Sequence, residues 1–346
     1  MTLKDIAEQV GVSISTVSRV INKSGTKVAS NEVKQKIWKV VRESGYVPNE
    51  AARMLQNCTD TDTEDDEVCK KIYVMVLRSL DEVEGDTFFT QIIDSIENTI
   101  YKKGYVIERI FQRNDLNSTI FENNSECYKN RYLITIGRFE PALLDHLNFY
   151  FSKIICVSLN DLDINCDQVF CNGYLASQTA INYLAKLGHE KIAFIGEEKE
   201  GRYRGYIQGL ENNKLHIFPN YIVKDAIISM NGGKNAMKRI LMNTCELPTA
   251  VFCSNDRTAI GALRACKDQN VNVPKDISII GINDIEATQF VDPMLTTVRV
   301  PLNEMGKVAV NTLVDNIEHG HTLAQKIALP FNLIKRESCK KYERID

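Results

Sequence analysis

The sequence predicts an α-helical headpiece followed by a larger α/β domain with two lobes. Three observations carry this prediction. Two short amphipathic helices meet at a glycine near the start, a run of acids follows near residue 60, and apolar strands alternate with helices from residue 70 onward. The length of 346 residues accommodates two or three domains. Hydrophobic residues make up 44% of the chain and charged residues 25%, which is typical of folded proteins.

The charge is distributed unevenly along the chain. Residues 1–57 hold nine Lys and Arg against five acids, whereas the rest holds 33 against 40. A basic end on an acidic body predicts one local contact with an anionic polymer. The segment 58–67 (CTDTDTEDDE) has six acids and no base, so we interpret 58–70 as a charged linker.

Other features exclude several classes of protein. No apolar run could cross a membrane and no secretion signal is present, so we expect no membrane partner and a cytoplasmic protein, bound at the nucleoid when on DNA. The ten cysteines should then be reduced thiols; they show no CxxC pair, and we expect no metal and no cofactor. His319 and His321 flank a glycine and are predicted to be solvated. A GxSxG elbow and a GxxxxGK[ST] loop are also missing, which argues against an enzyme.

Residues 1–48 carry a helix-turn-helix pattern. The first helix has an N-cap at Thr2, one apolar face and a stop at Gly11, and Ser13 caps the second helix. A third helix begins after Ser30 and ends at Gly45. The polar face of the second helix is rich in small hydroxyls, which suit phosphate and base-edge contacts in a major groove. An ordinary solvated helix face is the alternative interpretation.

Two segments resemble the DNA-binding headpiece of LacI/GalR-family transcriptional regulators: TLKDIAEQVGVSISTVSRVIN (2–22) and GYVPNEAARML (45–55). The resemblance implies that Ile14 and Ser15 read bases and that Arg19 contacts the major groove. It also implies that 49–57 is a hinge helix, in which Leu55 wedges between base pairs in the minor groove. The expected DNA-binding residues are Thr2, Leu3, Ser13, Ile14, Ser15, Thr16, Ser18, Arg19, Asn22, Ser30, Tyr46, Asn49, Ala52 and Leu55.

The pattern of residues 71–346, which form the body of the chain, predicts alternating strands and helices. Strands are predicted over 71–77, 105–111, 132–137, 153–159, 168–170, 191–196, 221–226, 250–255 and 276–282. Nearly continuous apolar strands indicate parallel sheets covered on both faces, with a ligand site outside the carboxyl ends of the strands. Polar residues gather at several of these ends, where they suit sugar hydroxyls, although helix caps and turns favour the same residue types.

Four segments of the body resemble the effector domain of the same family, which is shared with periplasmic sugar-binding proteins. They are YLAKLGHEKIAFIG (183–196), RYRGYIQGL (202–210), PTAVFCSNDRTAIGALRA (248–265) and VPKDISIIGINDIEATQFVDPMLTTVRVP (273–301). The resemblance implies a two-lobed, periplasmic-binding-protein-like domain of two parallel-sheet subdomains. It places the N-lobe at about 71–165 plus 297–330 and the C-lobe at about 166–296 plus 331–346.

The same resemblance implies a set of effector-binding residues, namely Phe89, Ser158, Arg202, Asn255, Asn283 and Phe290. Two positions depart from the family, which often has Asp where Asn283 and Ser158 stand. Losing these carboxylates weakens the case for sugar hydroxyl recognition. The stretch NDIEATQF…TTVR is most similar to galactose- or galactoside-responsive members.

Together these features predict a homodimeric transcriptional repressor that binds double-stranded operator DNA and responds to a small sugar effector. The two headpieces would read half-sites about one helical turn apart. The sequence leaves open a regulator that uses a nucleobase-like corepressor. A transporter-feeding solute receptor and an enzyme are weaker alternatives.

Overall fold

Residues 1–66 and 67–346 form two units, and the division between them falls inside the predicted linker. The computed structural model describes residues 3–14, 16–17, 33, 36–37, 40, 71–78, 86–117, 130–243 and 246–343. The predicted hinge helix 49–57 and linker 58–70 lie outside these residues. No helix among the described residues is both long and apolar enough to cross a bilayer.

The described part of the first unit matches the predicted start of a helix-turn-helix. Helix α1 spans Leu3–Val10 and buries Ala7. It ends at Gly11, whose φ of +73° is accessible to glycine at little cost and whose amide donates to the carbonyl of Ala7. The hydroxyl of Ser13 then accepts a 3.1 Å hydrogen bond from the Thr16 amide, which is the predicted N-cap of the second helix.

The second unit alternates strands and helices along the chain. In order these are β1 (Lys71–Val76), α2 (Thr87–Lys102), β2 (Val106–Gln112), β3 (Arg131–Ile136), α3 (Ala142–Asn148), β4 (Lys153–Ser158), β5 (Asp167–Phe170), α4 (Gly173–Lys186), β6 (Ile192–Ile195), α5 (Gly201–Asn212), β7 (Ile222–Val223), α6 (Met230–Asn243), β8 (Ala250–Cys253), α7 (Asp256–Asp268), β9 (Ser278–Asn283), β10 (Thr296–Arg299), α8 (Leu302–Glu318), β11 (Lys326–Ala328) and β12 (Asn332–Ile334). Short 3₁₀ helices cover Arg113–Asn117, Pro219–Tyr221 and Glu286–Gln289.

These strands form two six-stranded sheets, one in each lobe. The first sheet has the order β11-β5-β4-β3-β1-β2, and all its neighbours are parallel. The second has the order β12-β10-β9-β8-β6-β7 and is parallel except for the β10–β12 pair. The predicted two-sheet architecture is therefore confirmed.

The predicted lobe boundaries need correction by a few residues. Strand β5, which was assigned to the C-lobe, pairs with β4 in the first sheet, with Ile155 opposite Asp167. Conversely, β10 (Thr296–Arg299) pairs with β9 in the second sheet, although the N-lobe was expected to resume at 297. Within the described residues, the chain thus changes lobe after Phe170, after Arg299 and after Ala328. These strands are so short that only their long-range pairing assigns them to a sheet.

Apolar spacing explains why the helices cover the sheets. Helix α2 buries Phe88, Phe89, Ile92, Ile96 and Ile100, which recur every three or four residues and so share one face. Its N-cap Asp86 accepts a 3.1 Å hydrogen bond from the Phe88 amide. In the second lobe α4 and α5 approach closely at Gly205, where a methyl group would lie 2.3 Å from the carbonyl oxygen of Tyr174.

One histidine prediction is wrong. His319 is exposed as predicted, but His321 is mostly buried, and its Nε2 lies 2.8 Å from a carboxylate oxygen of Asp167. Asp167 also accepts hydrogen bonds from the Asn316 side chain and the Gln325 amide. The partner lies 154 positions away in sequence, so local composition could not reveal it.

Candidate functional site

The carboxyl ends of strands in both sheets converge on one cavity of about 510 Å³, a volume that includes space open to solvent. Residues at or after the ends of β1, β3 and β4, together with the start of α2, form one wall, and residues at or after the ends of β6, β7, β8 and β9 form the other. This is the position at which parallel α/β sheets bind ligands. The lining residues are Arg78, Asp86, Phe88, Phe89, Gly137, Arg138, Ser158, Leu159, Asn160, Glu200, Arg202, Ile228, Asn255 and Asn283.

The structure brings five of the six predicted effector residues to this cavity: Phe89, Ser158, Arg202, Asn255 and Asn283. Their roles in binding remain a proposal. The sixth, Phe290, is not among the lining residues and is 79% exposed. It follows the 3₁₀ helix Glu286–Gln289, whose start buries Ile285 and whose interior buries Thr288, so the chain turns Phe290 outward. Phe290 therefore does not line this cavity, and its contact with a ligand ring stays a prediction.

Apart from Arg202, sequence reasoning overlooked the charged residues of the cavity. Arg78 and Arg138 lie two residues beyond the ends of β1 and β3, and the predicted residue Ser158 likewise lies at a strand end, as the last residue of β4. Glu200 lies two residues before Arg202. The signal was present in each case, because a polar residue follows a buried strand or adjoins a predicted site residue.

Arg202 is held by three hydrogen bonds to two protein groups. Its Nε and Nη2 donate to Oε2 of Glu200 at 3.2 and 2.8 Å, and its Nη1 donates to the carbonyl of Ser254 at 2.7 Å. Both side chains are almost fully buried. Burial alone would raise the pKa of Glu200, but the guanidiniums of Arg202, Arg78 and Arg138 hold it below its ordinary value. Glu200 is therefore a buried carboxylate at neutral pH.

Further ion pairs join the two walls. Arg78 donates to Glu197 at 3.4 Å and lies 3.6 Å from Glu200, while Arg138 lies 3.9 Å from Glu197. On another part of the cavity, Asp86 of the first lobe pairs with Arg257 of the second at 3.2 Å. The lobes are thus connected by charges that line or adjoin the ligand space.

Two of the predicted residues serve local structure as well as the cavity. The Asn255 side chain caps α7 by accepting a 2.9 Å hydrogen bond from the Thr258 amide. The Ser158 hydroxyl donates to the Asn160 carbonyl at 2.7 Å and accepts from the Asn160 amide at 3.1 Å. The cap-and-turn alternative therefore describes part of what these side chains do.

Asn283 has the features of a ligand-facing group. It is 7% exposed, and its Oδ1 has no hydrogen-bond partner among the residues that the structure describes. Its φ of +122° lies in a region that favours glycine, and φ of the next residue, Asp284, is +60°. A buried acceptor without a partner is costly, so a donor from a ligand would be favourable here.

A buried acid holds the strained turn after β9 in place. Asp256 is fully buried and accepts hydrogen bonds from the Ile285 amide at 3.0 Å and from the Thr297 hydroxyl at 2.5 Å. Burial raises its pKa to about 7, although both hydrogen bonds oppose the increase. Gly281 makes room for this carboxylate, because a methyl group there would lie 2.3 Å from Oδ1 of Asp256. The turn that carries Asn283 is therefore anchored from behind.

The predicted DNA-binding face can be followed at a few positions. Ile14 is helical and 47% exposed, as a base-reading residue requires, and Thr16 is partly exposed. The Ser13 hydroxyl is engaged in its cap, 2.8 Å from the Thr16 hydroxyl. Leu3 begins α1. The other predicted DNA contacts lie outside the described residues: Thr2, Ser15, Ser18, Arg19, Asn22, Ser30, Tyr46, Asn49, Ala52 and Leu55.

The described residues contain no group of three or more His, Cys, Asp or Glu side chains placed to hold a metal ion. The second unit has one cleft described above, with charged, amide and aromatic side chains at facing strand ends. Its fold and site define a two-lobed small-molecule-binding domain, joined in sequence to a unit whose described part fits a helix-turn-helix.

Comparisons with known proteins identify the family. Residues 2–49 match the bacterial regulatory proteins of the lacI family, and residues 181–339 match the periplasmic binding protein-like domain. The chain is 32% identical to the HTH-type transcriptional repressor PurR of Haemophilus influenzae strain PittEE, over 100% of this chain and 95% of that protein. The chain belongs to the lacI family of DNA-binding, ligand-controlled transcriptional repressors, which are not enzymes.

Solved structures share the fold. The transcriptional regulator CelR in complex with cellobiose is 22% identical, with a TM-score of 0.69 and coverage of 98% of this chain and 99% of CelR. The lac repressor dimer bound to operator and the anti-inducer ONPF is 21% identical, with a TM-score of 0.67 and the same coverage. The predicted combination of headpiece and two-lobed domain is therefore confirmed.

Proposed function

We propose that this chain is a homodimeric cytoplasmic repressor that binds a pseudo-palindromic operator and releases it when a small carbohydrate occupies the cavity. The observation that carries the proposal is the convergence of polar and aromatic side chains from both lobes on one cleft. A ligand that contacts both lobes favours one arrangement of them over another. It can then change DNA affinity to the extent that it binds the two states differently.

The chemistry of the cavity supports a carbohydrate. Asn160, Asn255 and Asn283 bring neutral amides, which can donate to and accept from hydroxyl groups. Phe88 and Phe89 bring aromatic rings 5.1 Å apart, which can cover the apolar face of a sugar ring. Among the structural relatives, CelR holds cellobiose. The motif at 283–299 favours galactose or a galactoside as the first compound to test.

DNA binding is tested with Arg19→Ala. Full-length protein is used to select fragments of its source genome, and the affinity for the selected site is measured by fluorescence anisotropy at fixed salt. If Arg19 makes a bidentate base contact, its loss should weaken specific binding by about 1–3 kcal/mol, which is roughly five- to 150-fold. Circular dichroism should show an unchanged fold. Equal affinity of wild type and variant would refute the assigned contact.

Ligand class is tested by thermal shift. Galactose, other hexoses and disaccharides should raise the melting temperature if the cavity binds carbohydrate, because a ligand that binds only the folded state stabilises it. Adenine and guanine test the nucleobase alternative. If only a nucleobase stabilises the protein and it also tightens DNA binding, the chain is a corepressor-dependent regulator and not a sugar-responsive one.

A further inference from the structure

The charged residues of the cavity form an alternating row of arginines and glutamates. In order the row is Arg138, Glu197, Arg78, Glu200 and Arg202. The nitrogen-to-oxygen distances along it are 3.9, 3.4, 3.6 and 2.8 Å. Each glutamate thus lies between two guanidiniums. A row that begins and ends with arginine holds three positive charges and two negative ones.

The two ends of the row differ. At one end Arg202 is buried and donates to both Glu200 and the Ser254 carbonyl. At the other end Arg138 is 34% exposed, and Glu197 at 3.9 Å is beyond hydrogen-bond distance. Arg138 makes no hydrogen bond with any residue in the described part of the chain, and it lines the cavity. Among the described contacts of the row, Arg138 is therefore the guanidinium that has no hydrogen-bonded carboxylate.

The nearby acids Asp86 and Glu140 are each paired with an arginine other than Arg138. Asp86 and Arg257 pair with each other, and so do Arg113 and Glu140. Arg138 also lowers the pKa of Glu140, though less than Arg113 does, because Arg113 pairs with Glu140 at 2.8 Å. Guanidinium pairs best with a carboxylate or a phosphate, whose oxygens match its donor geometry.

We infer that the effector carries one anionic group, a carboxylate or a phosphate, which binds the guanidinium of Arg138 while the uncharged part of the ligand contacts the asparagine amides. This inference rests on the proposed function, since it assigns the chemical class of the ligand that the cavity binds. It distinguishes a sugar acid or sugar phosphate from the neutral parent sugar.

The experiment compares matched compounds on the full-length protein. Galactose, galacturonate and galactose 6-phosphate, the corresponding glucose series, and inorganic phosphate are titrated in a thermal-shift assay at constant ionic strength, because added salt screens charges. The uronate and phosphate arms separate the two anionic groups. The variants are Arg138→Gln, which removes the charge at the cavity, and Arg264→Gln, which removes one from the surface of α7, where Arg264 is 65% exposed.

We expect at least one anionic compound to stabilise the wild type at lower concentration than its neutral parent does. Arg138→Gln should weaken binding of that compound by about ten- to a hundred-fold, the usual effect of losing a charged hydrogen bond, and Arg264→Gln should leave it unchanged. Because Arg138 is partly exposed, both variants should fold, which circular dichroism checks.

The inference is overturned if a neutral sugar binds as tightly as its anionic counterparts, or if no compound stabilises the wild type more than Arg138→Gln. Its failure can be told apart from failure of the proposed function. A neutral sugar that binds and releases DNA would preserve the proposed function and refute only the anionic group. A panel in which nothing binds or alters DNA affinity would count against both.

Discussion

Replacing Glu200 with Gln tests whether the row of arginines and glutamates is a real electrostatic unit. Glu200 is 4% exposed and provides the carboxylate between Arg202 and Arg78. Gln occupies nearly the same volume and keeps one carbonyl oxygen as an acceptor. The change removes a single negative charge and leaves the row with three guanidiniums and one carboxylate.

The magnitude follows from burial. Removing one partner of a buried ion pair costs about 3–5 kcal/mol, because the remaining charge is buried without compensation. The retained Gln oxygen recovers about 1 kcal/mol as a neutral hydrogen bond to Arg202. We therefore expect Glu200→Gln to lower the free energy of unfolding of the second unit by about 2–4 kcal/mol.

Urea unfolding of the full chain, followed by far-UV circular dichroism, measures this loss. The single tryptophan, Trp38, lies in the first unit, so its fluorescence reports on that unit separately. Glu198→Gln is the matched control, since Glu198 is 56% exposed and pairs with Lys224 on the surface. It should change stability by less than about 0.5 kcal/mol. Equal stability of the two variants would refute the reasoning.

The pH dependence of the same variant gives a second check. Because the pKa of Glu200 is lowered in the folded state, its stabilisation is present above the ordinary glutamate value of 4.5 and is lost as pH falls below it. The difference in stability between wild type and Glu200→Gln should therefore shrink on acidification. A difference that stays constant down to acid unfolding would contradict the assignment.

Two further predictions concern packing and the turn behind the cavity. Asp256 has a folded pKa of about 7 against an ordinary 3.8, so its carboxyl lowers stability progressively as pH rises from about 4 to 7, by up to roughly 4 kcal/mol. Asp256→Asn should remove this slope, and identical pH–stability curves for the two proteins would rule it out. Gly205→Ala should destabilise the α4–α5 contact by about 1–3 kcal/mol in urea unfolding, because its methyl group would lie 2.3 Å from the Tyr174 carbonyl oxygen. Arg204→Ala, on the exposed side of the same helix, is the control, and comparable effects of the two changes would count against the packing argument.

The strand ends show how far sequence reasoning extends into the site. Buried apolar runs predicted where the strands end, and residues at those ends, such as Ser158 and Asn283, do reach the cavity. The same rule applies to Arg78 and Arg138, but the effector-binding residues were predicted only at positions that match the family motifs, and these two arginines are not among them. The pairing of Arg78 and Arg138 with Glu197 across the cleft is visible only in the folded structure, because these residues are far apart in sequence.

Other features could not be read from sequence because they depend on long-range geometry. A single 3₁₀ turn sets the direction of Phe290, which the motif match could not reveal, and the side chain does not line the cavity. Strand β5 was assigned to the wrong lobe because four residues carry little periodic signal, and its pairing with β4 and β11 decides its place. His321 appeared solvated because its partner Asp167 lies on that same strand, far away in sequence.

The most direct test of the account is the affinity of the full-length protein for its selected DNA site, with and without the compound that raises its melting temperature most. We predict that saturating compound weakens operator binding by roughly ten- to a hundred-fold, which corresponds to an allosteric coupling of a few kcal/mol. Asn283→Ala should bind DNA as wild type does and need more compound for release. Unchanged or tighter operator binding at a concentration that stabilises the protein would contradict the central claim that occupancy of the cavity releases DNA.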